Sequence, residues 1–203
     1  MEEESSLIED IIPCEKPIEC SNTEIIINAH TLLSGIPIAP EDRLRQFSDV
    51  EYEQCVKEWA TTFLEEKYEL VRRCGGSGDL GRDVICYTNI EEGKWVNYQC
   101  KHYASALVPS DIWVEIGKIC YYSFEGRYSF PEAYYFVAPK GVNNTLHGLL
   151  IDNPDKLKDE FIENWDKNCR TKITSTKNIE LDEGLKSFIE AKDFRIFNYL
   201  DPL

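Results

Sequence analysis

The chain has no apolar run near the ~20 residues that a bilayer-crossing helix needs, so a helical membrane span is excluded. No membrane partner is expected. None of the eight cysteines forms a C-x-x-C pair, and the three histidines are not spaced with them as zinc ligands are, which argues against a zinc site. There is no internal repeat and no low-complexity tract. Basic residues are scarce: 22 Lys and Arg against 37 Asp and Glu leave a net charge of -15, unfavourable at first sight for a nucleic-acid binder. The amino terminus, MEEESSLIED, is acidic where a secretory signal is basic and then apolar. The expected compartment is the cytoplasm, with free thiols that mostly pack in the core.

What is present suffices for one folded domain. The 203 residues are 42% hydrophobic and 12% aromatic, ample for a buried core. The charge is uneven: -12 over residues 1–70, zero over 71–147 and -3 over 148–203. Residues 1–40, with four prolines and one β-rich patch at 24–27, read as an acidic arm, and 41–203 as the folded domain. Ser48 and Glu51 form a capping-box pattern, and Val50, Val56, Trp59, Ala60, Phe63 and Leu64 supply an apolar stripe for a helix over 49–66. Strands are predicted over 68–74, 82–88, 94–103 and 132–139. A helix over 111–124 follows Ser110 as its cap, with further helices near 144–151, 154–168 and 182–192. The order α-β-β-β-α-β, then helices, predicts an α/β fold. An antiparallel meander is followed by a helix that returns the chain for a fourth strand, giving a mixed sheet flanked by helices.

Gly76, Gly78 and Gly81 spell G-x-G-x-x-G, but the loop runs into the strand-like RDVICYT rather than a helix, which argues against a dinucleotide site. The glycines instead precede Asp83. Sixteen residues later Gln99 and Lys101 share one strand face, and a hairpin turning near 89–93 brings Asp83 beside them. A carboxylate, an amide oxygen and an ammonium then converge, a set suited to a hard cation such as Mg²⁺ beside a phosphate. Asp79 suits an Asx-type turn within the loop. The bland alternative is a surface hairpin with ordinary polar residues.

GSGDLGRDV followed by YQCKHY resembles the active-site hairpin of the PD-(D/E)XK nuclease superfamily. It is most similar to the Mrr-like branch, patterned D-G-G-x-D and then Q-x-K with a basic and aromatic tail. Asp79 and Asp83 match the aspartates; Gln99, Lys101, His102 and Tyr103 match the second motif. EYEQCV resembles that branch's F-E-x-x-V, with Glu53 at the glutamate. The likeness covers about residues 43–140, and its extension into PSDIWVEIGKICYY is similar to Cap4-type effector nucleases of bacterial anti-phage systems such as CBASS and Lamassu.

This resemblance implies a restriction-endonuclease-like core over 43–140 with additional C-terminal helices over 141–203. It implies a Mg²⁺-dependent DNA endonuclease, with Mn²⁺ as a substitute, in a bacterial cytoplasm. Activation would come from a partner or from homo-oligomerisation; in Lamassu the partner is an SMC-like ATPase complex. The implied catalytic set is Asp83, Gln99, Lys101 and Glu53. Asp83, Gln99, Glu53 and the main-chain carbonyl of Cys100 would hold the metal. His102, Tyr103, Arg72, Arg73, Arg82 and Lys118 would contact double-stranded DNA. Gln99 stands where most of the superfamily carries an acid, which removes one charge. A catalytically degraded interaction subunit, and a ribonuclease or resolvase, are the rival readings. The acidic arm is expected to compete with DNA for a basic groove.

Overall fold

The computed structural model describes residues 38–75 and 78–200. The expected acidic arm as far as residue 37, its β-rich patch and residues 76–77 of the glycine loop lie outside the described residues. The described elements belong to the unit that begins at Ile38. A short helix, α1 (Pro40–Gln46), opens it, with Glu41 and Asp42 in its first turn and Arg43 and Arg45 in its last, the order the helix dipole favours. Periodicity does not reveal α1 because none of its residues is buried.

Helix α2 (Asp49–Phe63) carries the expected capping box: the Glu51 amide donates to Ser48 Oγ at 3.3 Å and the Ser48 amide to Glu51 Oε2 at 2.7 Å. Its buried face is Tyr52, Val56 and Ala60, spaced at one helical turn. Val50 and Phe63, which the sequence stripe included, are more than half exposed. The stripe is therefore narrower than the sequence suggested and begins at a tyrosine.

Five strands lie side by side in chain order: β1 (Leu70–Arg73), β2 (Val84–Asn89), β3 (Lys94–Cys100), β4 (Ala133–Val137) and β5 (Phe197–Leu200). The first three pair antiparallel, whereas β3–β4 and β4–β5 are parallel. The crossover from β3 to β4 runs through α3 (Trp113–Phe124). The result is an α/β fold with a five-stranded mixed sheet flanked by helices.

Two local expectations differ from the structure. Ser110 caps nothing: a 3-10 turn at Pro109–Asp111 precedes α3, and the Asp111 carboxylate receives the Val108 amide at 2.9 Å. The stretch after residue 141 is not purely helical. It holds α4 (Asn144–His147) running into a π-turn at Gly148–Asp152, then α5 (Pro154–Glu163), α6 (Trp165–Asn168) and α7 (Glu183–Glu190), and it ends in β5. Four residues, FNYL, are too few to show alternation, and β5 is a strand because β4 offers it an edge to pair with.

Strand alternation divides the core. Val84, Cys86, Val96 and Tyr98 pack with Tyr52, Val56 and Ala60 of α2. Ile85, Trp95, Tyr134, Phe136 and Phe197 pack with α3 and the C-terminal helices. Among the described residues no helix is long and apolar enough to cross a membrane.

Candidate active site

The glycine loop sets the start of β2. Asp79 Oδ1 accepts the Gly81 amide at 2.8 Å, the expected Asx-type turn. Leu80 and Gly81 both take positive φ, 56° and 84°. Gly81 has a second reason to lack a side chain: a Cβ there would stand 2.7 Å from Lys118 Cβ, so the loop lies directly on α3. For Leu80 the left-handed conformation is costly, and the Tyr128 hydroxyl anchors it by donating to the Leu80 carbonyl at 2.8 Å.

The β2–β3 register pairs Val84 with Tyr98 and so sets Asp83 opposite Gln99. Asp83 Oδ2 accepts two bonds, from Gln99 Nε2 at 2.7 Å and from the Cys100 amide at 2.8 Å. Gln99 Oε1 in turn accepts the Tyr134 hydroxyl at 2.8 Å and Asn97 Nδ2 at 3.3 Å. The amide therefore presents its nitrogen, and not its oxygen, to Asp83. One residue beyond β3, Lys101 Nζ donates to Glu115 Oε1 on α3 at 2.9 Å, and Lys118 Nζ donates to Glu115 Oε2 at 3.0 Å. Asp83, Gln99, Lys101 and Glu115 are each at most 8% exposed.

These groups border a cleft of about 260 Å³ together with Glu53, Cys100, His102 and Tyr103. Glu53 reaches it from α2, next to the buried Tyr52, with Oε2 held by Arg73 at 2.9 Å. Burial pushes the Asp83 carboxyl up to about 7 against the Cys100 amide bond, and Glu53, Glu115 and Asp79 push it the same way. Burial works against the charge on Lys101, but the Glu115 carboxylate outweighs it and leaves the ammonium above its ordinary value. Burial likewise opposes ionisation of Glu115, and the two lysines outweigh it, so this carboxyl is lowered. Burial also raises the Cys100 thiol well above its usual range, reinforced by Asp83 and Glu53.

The other candidates divide. Lys118, His102 and Tyr103 line the cleft. Tyr103 is 42% exposed at the mouth, with Lys101 Nζ 5.8 Å from its ring centroid. His102 is tied down: its Nε2 lies 2.8 Å from the Leu44 carbonyl and its Nδ1 3.5 Å from Asp49, which ties β3 to α1 and α2. Arg82 stacks over Tyr128, 4.2 Å from the ring centroid, and bonds the Asp79 carbonyl. Arg72 is exposed and, by strand alternation, points to the sheet face opposite Arg73. None of Arg72, Arg73 and Arg82 lines the cleft, although Arg73 holds Glu53, which does. Glu58, five residues after Glu53 on α2, does not line it either, and its Oε1 accepts Gln54 Nε2 at 2.7 Å.

Nor is the cleft basic. Asp49, Glu53, Asp79, Asp83 and Glu115 line it against Lys101 and Lys118. The basic groove expected from the sequence is therefore not found at this cleft. Among the described residues no three His, Cys, Asp or Glu side chains form a metal cage.

Sequence reasoning missed Glu115. The signal was present: Glu115 is three residues after Ile112 and four before Ile119, both buried, so an acid falls on the apolar face of α3. Tyr134, buried on β4 among core aromatics, also reaches the site through its hydroxyl. The arrangement offers a buried carboxylate, an ammonium fixed by a counter-charge and an open mouth, a set able to orient and protonate a charged substrate. Comparison with family models, curated proteins and solved structures gives no match, so the function must be argued from these residues.

Proposed function

We propose that the chain is a Mg²⁺-dependent DNA endonuclease domain of PD-(D/E)XK type, acting on phosphodiesters in the cleft between β2, β3 and α3. The observation that carries this reading is the convergence of Asp83, Gln99 and Lys101 at one end of the sheet, within one cleft. The donor set suits Mg²⁺, which asks for one or two carboxylate oxygens and keeps several waters. Asp83 Oδ2 is occupied by two hydrogen bonds, and Oδ1 accepts none from the described residues, leaving it for an ion. Glu53 and the main-chain carbonyl of Cys100 are the further donors, and Mn²⁺ is the natural substitute.

When bound, the ion would lower the pKa of a water and offset charge on the phosphate. The rest falls to the side chains. Gln99 fixes the Asp83 carboxylate. Glu115 fixes the Lys101 ammonium, so that its charge faces a phosphate oxygen at no further ordering cost. Lys118 and Tyr103 border the path of the nucleic-acid backbone. Double-stranded DNA, a bacterial cytoplasm, a defence-system role and an SMC-like ATPase partner rest on the sequence resemblance.

The test is nicking of supercoiled plasmid in Mg²⁺. Lys101→Ala and Asp83→Ala should each lower the rate by roughly 10²-fold or more, as expected for loss of a group acting on the transferred charge, while circular dichroism stays native. Equal cutting by wild type and Lys101→Ala would remove the basis of the reading. A second reading is a catalytically degraded interaction subunit. It is favoured by the acidic lining and by the Arg73 bond to Glu53, which leave little free positive charge at the cleft. Silence on plasmid, branched DNA and RNA alike, in Mg²⁺ and in Mn²⁺, would favour that second reading.

A further inference from the structure

We infer that Tyr134 is a positioning residue that holds Gln99 so that one chosen oxygen of Asp83 faces the cleft. This rests on the reading of Asp83 as a metal-holding carboxylate. A glutamine amide has a donor end and an acceptor end of nearly the same shape, so its surroundings must decide which end points where. Here the Tyr134 hydroxyl, on a fully buried residue, donates to Oε1 at 2.8 Å, while the Gly81 carbonyl lies farther from it, at 3.4 Å. Oε1 is thereby engaged on the core side, and Nε2 is directed to Asp83 Oδ2 at 2.7 Å. The Cys100 amide takes the same oxygen at 2.8 Å. Both bonds fall on Oδ2. Oδ1 accepts nothing from the described residues and is not among the buried unpartnered atoms, so it is the oxygen left to the cleft.

Asn97 does not hold the amide alone. Its bond to Oε1 is long, 3.3 Å, and its own Oδ1 is buried without a partner. Removing the tyrosine hydroxyl leaves a buried amide oxygen with only this weak donor, an under-satisfied state that favours rotation of Gln99 away from Asp83. The ring itself packs on Phe136 and Phe197, at centroid distances of 5.1 and 5.4 Å, and Tyr134→Phe preserves that packing.

The experiment is a Mn²⁺ titration of the full chain, read by the electron-spin resonance of the free ion. It compares wild type, Tyr134→Phe, Gln99→Ala and the double variant. Tyr134→Phe should weaken Mn²⁺ binding by about 10-fold, the low end for loss of a partner that orients a metal ligand. In the Gln99→Ala background the same change should have no further effect, because the tyrosine acts only through the amide. Equal affinity in wild type and Tyr134→Phe overturns the inference. So does a full loss that persists without Gln99, which would mark a packing role. Absence of Mn²⁺ binding by the wild type overturns the metal reading and this inference together, and is distinguished from the other outcomes by that control.

Discussion

The two ends of β3 are buried alike and built differently. Near its start Trp95 and Val96 are 3% exposed and sit among apolar and aromatic neighbours; the indole N–H donates to the Ser129 carbonyl at 2.9 Å, and the Arg82 guanidinium lies 5.8 Å from the Trp95 ring centroid. Toward its end and just beyond, Asn97, Gln99 and Lys101 are as deeply buried but meet Asp83, Tyr134 and Glu115. Six polar or charged residues are buried among the described residues, and five of them (Asp83, Asn97, Gln99, Lys101 and Glu115) belong to this one end. Burying such groups costs more than an apolar filling of the same volume. The concentration of that cost at one point of an otherwise apolar sheet marks a site rather than a scaffold.

The largest contrast is expected from stability. Trp95→Ala should lower the unfolding free energy by about 3–5 kcal/mol, the range for deleting a large buried aromatic, measured by urea denaturation. The plasmid-nicking rate per folded molecule should not change. A parallel loss of activity and stability would erase the distinction between the ends.

At the polar end the ranking depends on which partner is removed. Glu115→Ala leaves Lys101 and Lys118 without their shared counter-charge and should cost about 3 kcal/mol, in the range for breaking a buried pair. Lys101→Ala should cost clearly less, because Glu115 keeps Lys118 at 3.0 Å, although it removes the proposed activity. Equal costs for the two variants would show that Glu115 is not a shared anchor.

A smaller effect is expected from pH, in chelator, with no divalent ion present. The Asp83 carboxyl is raised from its ordinary value below 4 to about 7 in the folded state. Between those values the folded chain binds this proton and the unfolded chain does not, so stability falls as pH rises through the interval and is level above it. Glu115 is shifted the other way, and its contribution is lost only in acid; that of Lys101 is lost only in strong alkali. From pH 5 to pH 8 the loss attributable to Asp83 should be roughly 2–3 kcal/mol. Asp83→Asn should flatten it. A wild-type melting temperature that is the same at both pH values would contradict the buried, acid-crowded setting of this carboxyl.

Much of the frame was legible in local pattern. Capping at Ser48, strand alternation from Trp95 to Cys100 and the short hairpin turn are local properties, read within one or two turns of chain. They placed Asp83, Gln99 and Lys101 together because a hairpin is a local object. The remainder came from long-range packing. β5 is a strand because β4 has an edge. Arg82 stacks on Tyr128, 46 residues away in sequence, and not on the cleft. Glu115 and Tyr134 reach the site because α3 and β4 return alongside β3. Which end of an amide faces a carboxylate, and which acid answers a lysine, depend on groups distant in sequence, and no local pattern encodes their approach.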